Sequence, residues 1–392
     1  MNNYEIADRY FLNVYKRFAI DVDRGNGVYL FDKNGDKYLD FLAGIAVNAL
    51  GYNHPDIIKA MLSQIQRNMH LSNYYIQDIQ IQFAEKLLSL VPHSKLFLTN
   101  SGTEAIEGLL KTVKKWGNLH GKNEIIAFDG SFHGRTLGAL SLTMQKKYQH
   151  NFLPLLPNII SVPRNDVTAL NAAVNENTAA VFFEGISGEG GIRPLSSQMI
   201  KAMVELKERY GYLMIADEIQ TGVGRTGSFY YFEQIGIVPD GLASAKALGG
   251  GLPLGAFLLS EQLCNIFEIG EHGTTYGGNP LACAAGLVSI EIISKQPFLQ
   301  KIRENGEYFK NLLKELKSDY ENIIRDVRGR GLMVGVEVGV HAAAIFNEAF
   351  NQGLLFNIAG GDTLRFVPPL IINRAHIDEA IDKLYLTFKT LF

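Results

Sequence analysis

Two side chains of opposite charge end neighbouring apolar runs in the middle of this 392-residue chain. The run 212–216 is followed by Asp217, and the run 241–245 is followed by Lys246 and three glycines. A lysine amine can form a Schiff base with an aldehyde, and a carboxylate can keep a ring nitrogen protonated. The pair therefore indicates a cofactor that needs both groups. Gln220 lies three residues after Asp217 and could reach a phenolic oxygen on the same ring.

Two hydroxyl-rich turns are candidates for binding a phosphate. Ser101, Gly102 and Thr103 follow the apolar run KLFLT and precede a predicted helix, where free backbone N–H groups and the helix dipole favour an anion. Thr275 lies in a similar turn, HGTTYGGNP, before another predicted helix. Either turn can instead act as a helix cap. For the first turn taken alone, the cap is the favoured interpretation. Neither is a Walker loop or a G-x-G-x-x-G motif, so nucleotide binding is not supported.

Aromatic, basic and acidic residues after other apolar runs have two interpretations each. Phe132 can stack on a planar ring or fill the core, and Arg135 can bind a carboxylate or form a salt bridge. For His133 a structural hydrogen bond is favoured, because nothing nearby suggests a metal cluster or a nucleophile. Glu189, in the loop GEGG, can face a ligand or solvent. Arg365 can form a structural ion pair or clamp a substrate carboxylate.

Composition narrows the class of protein. A hydrophobic fraction of 47% over 392 residues allows a large core and more than one domain. The net charge of -3 gives no electrostatic reason to expect nucleic acid or an anionic membrane as a partner. Only two cysteines occur, which favours a reduced cytoplasm over a disulfide framework. The sequence shows no signal peptide, no segment apolar enough to span a membrane and no metal site.

The middle of the chain reads as an α/β domain. Over residues 95–260, seven short apolar runs alternate with helical patterns. Continuous apolar runs bounded by turns are typical of strands buried on both faces, and strands that alternate with helices form a mostly parallel sheet. The sequence therefore predicts a large domain with a mostly parallel seven-stranded sheet.

The flanking segments predict further elements. Residues 1–20 favour an amphipathic helix or arm, and residues 26–41 favour a hairpin that turns at Asn34-Gly35. The pattern after residue 322 mixes strands and helices, as in a smaller α+β domain. We expect three parts: an arm and hairpin at 1–50 that packs with the small domain, a large cofactor domain at 51–295, and a small domain at 296–392.

A series of motifs carries a resemblance to a known family. The chain contains NSGTEA, FHGRT, GEGG, ADEIQTGVGRTG, KALGGGLP, TTYGGNPLA, RGRGLM and LRFVPPL in the family's order and spacing. It resembles the class III, fold type I pyridoxal-phosphate aminotransferases, and within that class the acetylornithine aminotransferases. Each motif alone is weak, but the series covers essentially the whole chain and is specific.

The resemblance implies roles for the residues singled out above. Those expected to act on or bind pyridoxal 5'-phosphate are Lys246 (Schiff base), Asp217 (ring nitrogen), Gln220 (phenolic oxygen), Phe132 (ring stacking), His133, and Ser101, Gly102 and Thr103 (phosphate), with Thr275 reaching the phosphate from the partner subunit of a homodimer. Arg135 and Arg365 are expected to bind substrate carboxylates. Glu189 is similar to the family's glutamate that masks the second arginine when the amine donor has no carboxylate there.

The implied reaction moves the terminal amino group of N-acetylornithine to 2-oxoglutarate, in cytoplasmic arginine biosynthesis. N-succinylornithine, ornithine, 4-aminobutyrate and N-succinyldiaminopimelate stay open as donors. An aminomutase, which needs no 2-oxoglutarate, and a non-enzymatic binding protein on the same fold are remoter alternatives. FHGRT, in place of the FWGRT of ornithine aminotransferases, favours an acylated ornithine.

The sequence departs from the family's pattern at two places. Residues 184–187 read Glu-Gly-Ile-Ser where the family commonly has Glu-Pro-x-Gln, and Tyr52 stands where a histidine is usual. Both departures leave the cofactor assignment intact and bear on the acyl group of the donor.

Overall fold

Strands and helices alternate through the middle of the chain, as the apolar runs predict. The structure is a computed structural model that describes residues 3–392. Its strands are β1 (Val22–Asn26), β2 (Tyr29–Asp32), β3 (Lys37–Asp40), β4 (Lys95–Thr99), β5 (Glu124–Phe128), β6 (Ile159–Val162), β7 (Thr178–Phe183), β8 (Ile186–Ser187), β9 (Arg193–Pro194), β10 (Leu213–Asp217), β11 (Gly241–Ser244), β12 (Gly255–Leu259), β13 (Asp326–Arg330), β14 (Met333–Glu337), β15 (Leu354–Leu355), β16 (Asn357–Ala359) and β17 (Thr363–Phe366).

The helices cover the strands and connect them. They are α1 (Asn3–Tyr10), the four-residue turn α2 (Ala43–Ala46), α3 (Pro55–Arg67), α4 (Asp78–Leu88), α5 (Gly102–His120), α6 (Leu137–Leu142), α7 (Lys146–Gln149), α8 (Val167–Ala173), α9 (Ser197–Tyr210), α10 (Phe232–Ile235), α11 (Pro280–Ile293), α12 (Gln296–Asp319), α13 (Ala342–Asn351) and α14 (Arg374–Leu391). Within residues 3–392, no helix is both long and apolar enough to cross a membrane.

The predicted seven-stranded sheet is confirmed. Its order is β4-β12-β11-β10-β7-β5-β6. Strand β12 runs antiparallel to both of its neighbours, β11 and β4, and the remaining pairs are parallel. Every residue of β7, β10, β11 and β12 is buried, which explains their continuous apolar sequences. Successive side chains enter opposite faces, so that Phe182 and Phe183 belong to two different hydrophobic clusters.

Strand order brings the singled-out residues to one edge of this sheet. β10 and β11 pair in parallel with Asp217 opposite Ala243, so Lys246, three residues further on, follows at the same edge. Helix α5 begins directly after β4, with Ser101 at its N-cap. In open α/β sheets the carboxyl ends of the strands are where ligands bind.

Strands from both ends of the chain form two smaller sheets. The predicted hairpin is confirmed as β2 and β3, whose turn has Gly35 at φ 91°. These strands share a four-stranded sheet with β15, which pairs in parallel with β3, while β13, β14, β17 and β16 form another. The N-terminal strands are therefore built onto the C-terminal part of the chain. The division of the chain at residues 50 and 295 stays a prediction.

The N-terminal helix covers only part of the segment that was expected to form a helix or arm. Helix α1 ends at Tyr10, although the helix or arm was expected over residues 1–20, of which 1 and 2 lie outside the described residues. No residue of α1 is buried, so no packed face supports its extension. The residues after it leave large side chains exposed, among them Phe11, Leu12, Val14 and Tyr15.

Candidate active site

A cavity of about 490 Å³ lies at the carboxyl edge of the large sheet. Its volume falls in the range of small-molecule sites, roughly 300–1,000 Å³. The predicted site residues that line it are Ser101, Gly102, Thr103, Phe132, His133, Arg135, Glu189, Asp217, Gln220 and Lys246. The fold thus brings together residues from loops spread between Ser101 and Lys246, more than a third of the sequence.

Asp217 is buried in this cavity and is held by two hydrogen bonds. The residue is 4% exposed, its Oδ2 lies 2.7 Å from Nδ1 of His133, and its Oδ1 accepts the N–H of Ile219 at 3.0 Å. Burial alone would lower the pKa of His133, but the hydrogen bond to Asp217 and its charge raise that pKa above its ordinary value. His133 makes the structural hydrogen bond that the sequence favoured, and its partner is the carboxylate itself.

Lys246 is held in a strained backbone conformation. Its φ is 52°, in the left-handed region that costs a non-glycine residue about 1 kcal/mol. Gly250 and Gly251 follow with φ of 60° and 104°, and an added Cβ at Gly250 would lie 2.9 Å from the carbonyl oxygen of Ala285. Burial, reinforced by the charge of Arg365, lowers the pKa of the Lys246 amine to about 8. The lowered pKa increases the fraction of neutral, nucleophilic amine near neutral pH.

The start of helix α5 faces the same cavity. Ser101 caps the helix by accepting the N–H of Glu104 at 3.4 Å, as the cap interpretation predicts. The N–H groups of the first turn of a helix have no partner within the helix, so those of Gly102 and Thr103 remain available to an anion. An added Cβ at Gly102 would lie 2.6 Å from Cδ1 of Ile219, so the backbone approaches the Asp217 loop closely. Cap and anion site are thus compatible.

Arg365 is a buried cation paired with Glu189. Its Nη1 donates to Oε1 of Glu189 at 2.5 Å and to Oε1 of Gln220 at 3.2 Å, and its Nε donates to Oδ1 of Asn357 at 2.9 Å. Within the described residues its buried Nη2 has no hydrogen-bond partner. Burial would raise the pKa of Glu189, but the charge of Arg365 and its hydrogen bond lower it below the usual range. Glu189 faces an arginine rather than solvent.

Arg135 lies in a different environment. The residue is exposed, and its guanidinium carbon lies 3.9 Å from the ring centroid of Tyr148 and 5.4 Å from that of Phe132. Cation–π contacts of this kind hold a guanidinium in place while its N–H groups stay available. Phe132 itself lines the cavity and is not packed into the core.

Thr275 does not line this cavity. It lines a second one, together with Asn73, Tyr74 and His272. Its neighbour Thr274 accepts a hydrogen bond from Nδ2 of Asn100 at 3.3 Å, beside the start of α5. The role of Thr275 toward a partner subunit stays a prediction.

Sequence reasoning assigned no role to a buried glutamate, Glu184, that lines the cavity. Glu184 accepts the N–H of Phe132 at 3.3 Å and that of Gly188 at 3.1 Å, and Arg164 donates to its carbonyl oxygen at 2.8 Å. It therefore ties the FHGRT loop to the GEGG loop. An acid at the end of the apolar run AAVFFE was the only signal, and it did not reveal which backbone groups the carboxylate would meet.

These groups fit a phosphorylated pyridine aldehyde. The cavity offers a helix N-terminus for the phosphate, the buried Asp217 carboxylate for a ring nitrogen, and the Lys246 amine of lowered pKa for the aldehyde. Phe132 supplies an aromatic face for the ring.

Comparison with known proteins supports this interpretation of the cavity. Residues 10–388 match the family model described as aminotransferase class-III. The chain is 44% identical to an acetylornithine aminotransferase of Clostridium acetobutylicum, over 96% of this chain and 98% of the relative. It is 42% identical to an acetylornithine aminotransferase of Methanocaldococcus jannaschii, over 97% and 96%.

Solved structures show the same architecture. The ornithine aminotransferase from Toxoplasma gondii superposes with a TM-score of 0.95 at 28% identity, covering 99% of this chain and 94% of that one. The N-acetylornithine aminotransferase from Stenotrophomonas maltophilia superposes with a TM-score of 0.86 at 32% identity, covering 99% and 98%. The fold and the cavity are thus those of a pyridoxal-phosphate-dependent aminotransferase. The chain belongs to the class III aminotransferase family.

Proposed function

We propose that this enzyme transfers the terminal amino group of N-acetylornithine to 2-oxoglutarate, giving N-acetylglutamate semialdehyde and glutamate, in arginine biosynthesis. The observation that carries the proposal is the ion pair of Glu189 with Arg365 beside the cavity of Lys246. The acyl group is supported by the relatives, which are acetylornithine aminotransferases at 42–44% identity over nearly the whole chain.

The chain's own residues divide the work of the reaction. Pyridoxal phosphate, when bound, supplies an aldehyde for amines and a ring that accepts electrons from the substrate carbon. We propose that Asp217 keeps the ring nitrogen protonated and that His133 orients Asp217. Lys246 holds the cofactor through its amine and, once displaced by substrate, moves a proton between the substrate carbon and the cofactor carbon.

The remaining contacts place the ring. The N–H groups at the start of α5, with Ser101, Gly102 and Thr103, bind the phosphate in our proposal, because a helix N-terminus favours an anion. Phe132 covers one face of the ring. Gln220, whose Oε1 already accepts a hydrogen bond from Arg365, lies near the phenolic oxygen.

Two substrates of different shape must react at the same point of this cavity. The reacting carbon of 2-oxoglutarate bears a carboxylate, whereas the reacting carbon of N-acetylornithine bears none. We propose that Arg365 binds this carboxylate when 2-oxoglutarate enters, and that Glu189 covers Arg365 when the donor enters. At the end away from the reacting carbon, both substrates carry a carboxylate, which Arg135 binds. An unmasked buried cation would otherwise face an uncharged part of the donor.

N-succinylornithine is the second candidate donor, and ornithine, 4-aminobutyrate and N-succinyldiaminopimelate follow. An aminomutase is less well supported, because two arginines for two carboxylate-bearing substrates favour transamination. A purely binding role is excluded by membership of the aminotransferase family with Lys246 and Asp217 in place.

The test is a steady-state panel of these donors with 2-oxoglutarate, followed by glutamate formation. N-acetylornithine is expected to give the highest kcat/KM. Equal kcat/KM for free ornithine and the acylated donors would contradict the proposed specificity. Turnover of a donor without 2-oxoglutarate would indicate the aminomutase instead.

We further propose that the active unit is a cytoplasmic homodimer with shared sites. Large exposed side chains surround the second cavity, among them Tyr74 at 96% and Ile269 at 107% exposed. An apolar surface of this kind favours a protein partner. A second copy that covers it would bring Thr275 toward the other copy's phosphate turn. The two free cysteines support a reduced compartment.

Mixed dimers test the sharing of sites. A heterodimer of Lys246→Ala with Thr275→Val contains one site with both native residues if Thr275 acts across the interface, and none if it acts within its own chain. About half of the wild-type activity is therefore expected, because one of two sites is complete. Activity no higher than that of the Thr275→Val homodimer would contradict a shared site.

A further inference from the structure

Four consecutive residues beside the cavity have a left-handed backbone. In the turn α2, Ala43, Gly44, Ile45 and Ala46 have φ of 52°, 64°, 63° and 64°. Three of them are not glycine, and each such residue costs about 1 kcal/mol. A strained segment of this length persists only when its surroundings fix it, and strain of this kind clusters at functional sites.

A buried carboxylate holds the start of this turn. Asp40 is 2% exposed, and its Oδ1 accepts the N–H groups of Leu42 at 2.8 Å and Ala43 at 2.9 Å. Its other oxygen accepts the hydroxyl of Tyr52 at 2.5 Å. The Asp40 carboxylate therefore needs the Tyr52 hydroxyl to keep the orientation that caps the turn.

Tyr52 is itself fixed on its other side. Its backbone N–H donates to Gly27 at 2.7 Å, and its carbonyl oxygen accepts from the N–H of Gly27 at 3.1 Å. An added Cβ at Gly25 would lie 2.4 Å from Cγ of Tyr52, so the ring packs directly on that strand. The Tyr52 hydroxyl also has a side-chain hydrogen bond with Asn48.

The end of the turn forms part of the cavity wall. Val47, the residue after the turn, lines the cavity, and so does Gly251, whose added Cβ would lie 3.4 Å from Oδ1 of Asn48. Ala46 packs in one cluster with Ile186 of the cavity and with Val367, two residues after Arg365. A shift of the turn would therefore move the wall at Val47.

We propose that the Tyr52–Asp40 hydrogen bond holds the left-handed turn and the cavity wall at Val47, and so sets which acyl group the amine donor can carry. Tyr52 is a positioning residue, because it acts through Asp40 and the turn and does not line the cavity. The inference rests on the proposed function, since it concerns the choice among donors.

The test removes one hydroxyl in Tyr52→Phe. The matched control is Tyr29→Phe. Tyr29 lies in β2, in the same sheet as Asp40 but away from the cavity, and its hydroxyl donates to Glu379 at 2.8 Å. For Tyr52→Phe, the ratio of kcat/KM for N-acetylornithine over N-succinylornithine is expected to fall about threefold or more, mainly through KM, because a looser wall discriminates less between acyl groups. Tyr29→Phe is expected to leave the ratio unchanged.

A second variant separates positioning from folding. Tyr52→His retains a donor toward Asp40 and is expected to keep the ratio of the two kcat/KM values within about twofold of wild type. This variant tests the inference even if Tyr52→Phe does not fold. A lower unfolding temperature for Tyr52→Phe with an unchanged ratio would overturn the inference, and so would equal changes in both tyrosine variants. If the wild type turns over no acylated ornithine, the proposed function fails, and the same ratio is then taken between the two donors it uses best.

Discussion

The two arginines of the site differ in what surrounds them. Arg365 is fully buried and paired with Glu189 at 2.5 Å, whereas Arg135 is exposed and lies over the ring of Tyr148. The guanidinium of Arg365 therefore has a charged partner, whereas that of Arg135 has an aromatic partner. Only Arg365 must break an ion pair before it can bind a carboxylate.

This difference matches what the two proposed substrates share and what they do not. A carboxylate present in both substrates needs a cation that is always available, which an exposed arginine on an aromatic ring provides. A carboxylate present in only one substrate needs a cation whose charge is covered at other times. A buried arginine left without a partner would be costly, so Glu189 also stabilises the empty site.

The largest effect is expected from Arg365→Gln. We expect kcat/KM for 2-oxoglutarate to fall about 100-fold or more, because a buried charge–carboxylate contact is lost and Glu189 is left buried without its cation. The N-acetylornithine half-reaction, measured without 2-oxoglutarate, is expected to fall less than about tenfold. Arg193→Gln, whose arginine pairs with Glu337 at 3.0 Å outside the cavity, is the control. Equal losses in both half-reactions would contradict a role for Arg365 in one substrate only.

Glu189→Gln is expected to have the opposite selectivity. Without its carboxylate Arg365 stays uncovered, so kcat/KM for N-acetylornithine should fall about tenfold while that for 2-oxoglutarate is retained or rises. The control is Glu337→Gln, which removes a carboxylate paired with Arg328 at 2.6 Å and does not line the cavity. A larger loss for 2-oxoglutarate than for the donor would break the comparison between the two arginines.

A smaller and more even effect is expected from Arg135→Gln. Both half-reactions should weaken by a similar factor of about ten or less, mainly through KM, because an exposed charge pair is screened by solvent. In the wild type, added salt should weaken the contact of a substrate carboxylate with the exposed Arg135 more than the contact with the buried Arg365. Arg209→Gln removes an arginine that lies over the ring of Tyr210 at 5.0 Å and serves as the control. A loss confined to 2-oxoglutarate would show that Arg135 does not bind both substrates.

The smallest effect is on stability as a function of pH. The pKa of Glu189 is lowered in the folded chain from its ordinary value of 4.5, so between the two values the unfolded chain binds more protons. The stabilisation from Glu189 is therefore fully present above about pH 4.5 and is lost as the pH falls through the folded value. Denaturant unfolding of the cofactor-free wild type and of Glu189→Gln should show a difference that narrows below pH 4.5. A difference that widens toward low pH would mean that Glu189 is not held ionised by Arg365.

Much of the fold followed from the sequence, because apolar runs and turn residues are local signals. The seven strands and the hairpin at Asn34-Gly35 were predicted and confirmed. Asp217 and Lys246, which were predicted to act on one cofactor, lie at the same edge of the sheet. The family motifs led to the residues of the cavity. The end of helix α1 within the expected helix or arm at 1–20 was not predicted, since an apolar pattern does not tell whether a packed surface is available to a helix.

Contacts between distant loops could not be predicted. Glu184 meets the N–H groups of two other loops, and nothing in its own segment specifies those partners. The left-handed turn at 43–46 contains three residues that rarely adopt such a conformation, so local propensity pointed away from it. Its cause lies in Asp40 and Tyr52, which are brought together by pairing of the first strands with the following loop.

One measurement tests the central claim most directly. The cofactor-loaded protein is mixed with N-acetylornithine in the absence of 2-oxoglutarate, and the visible absorbance of the lysine-bound cofactor is followed. We predict that the band is lost in a single turnover, that 2-oxoglutarate restores it with formation of glutamate, and that Lys246→Ala shows neither change. A band that N-acetylornithine leaves unchanged, or product formed continuously without 2-oxoglutarate, would contradict an N-acetylornithine aminotransferase.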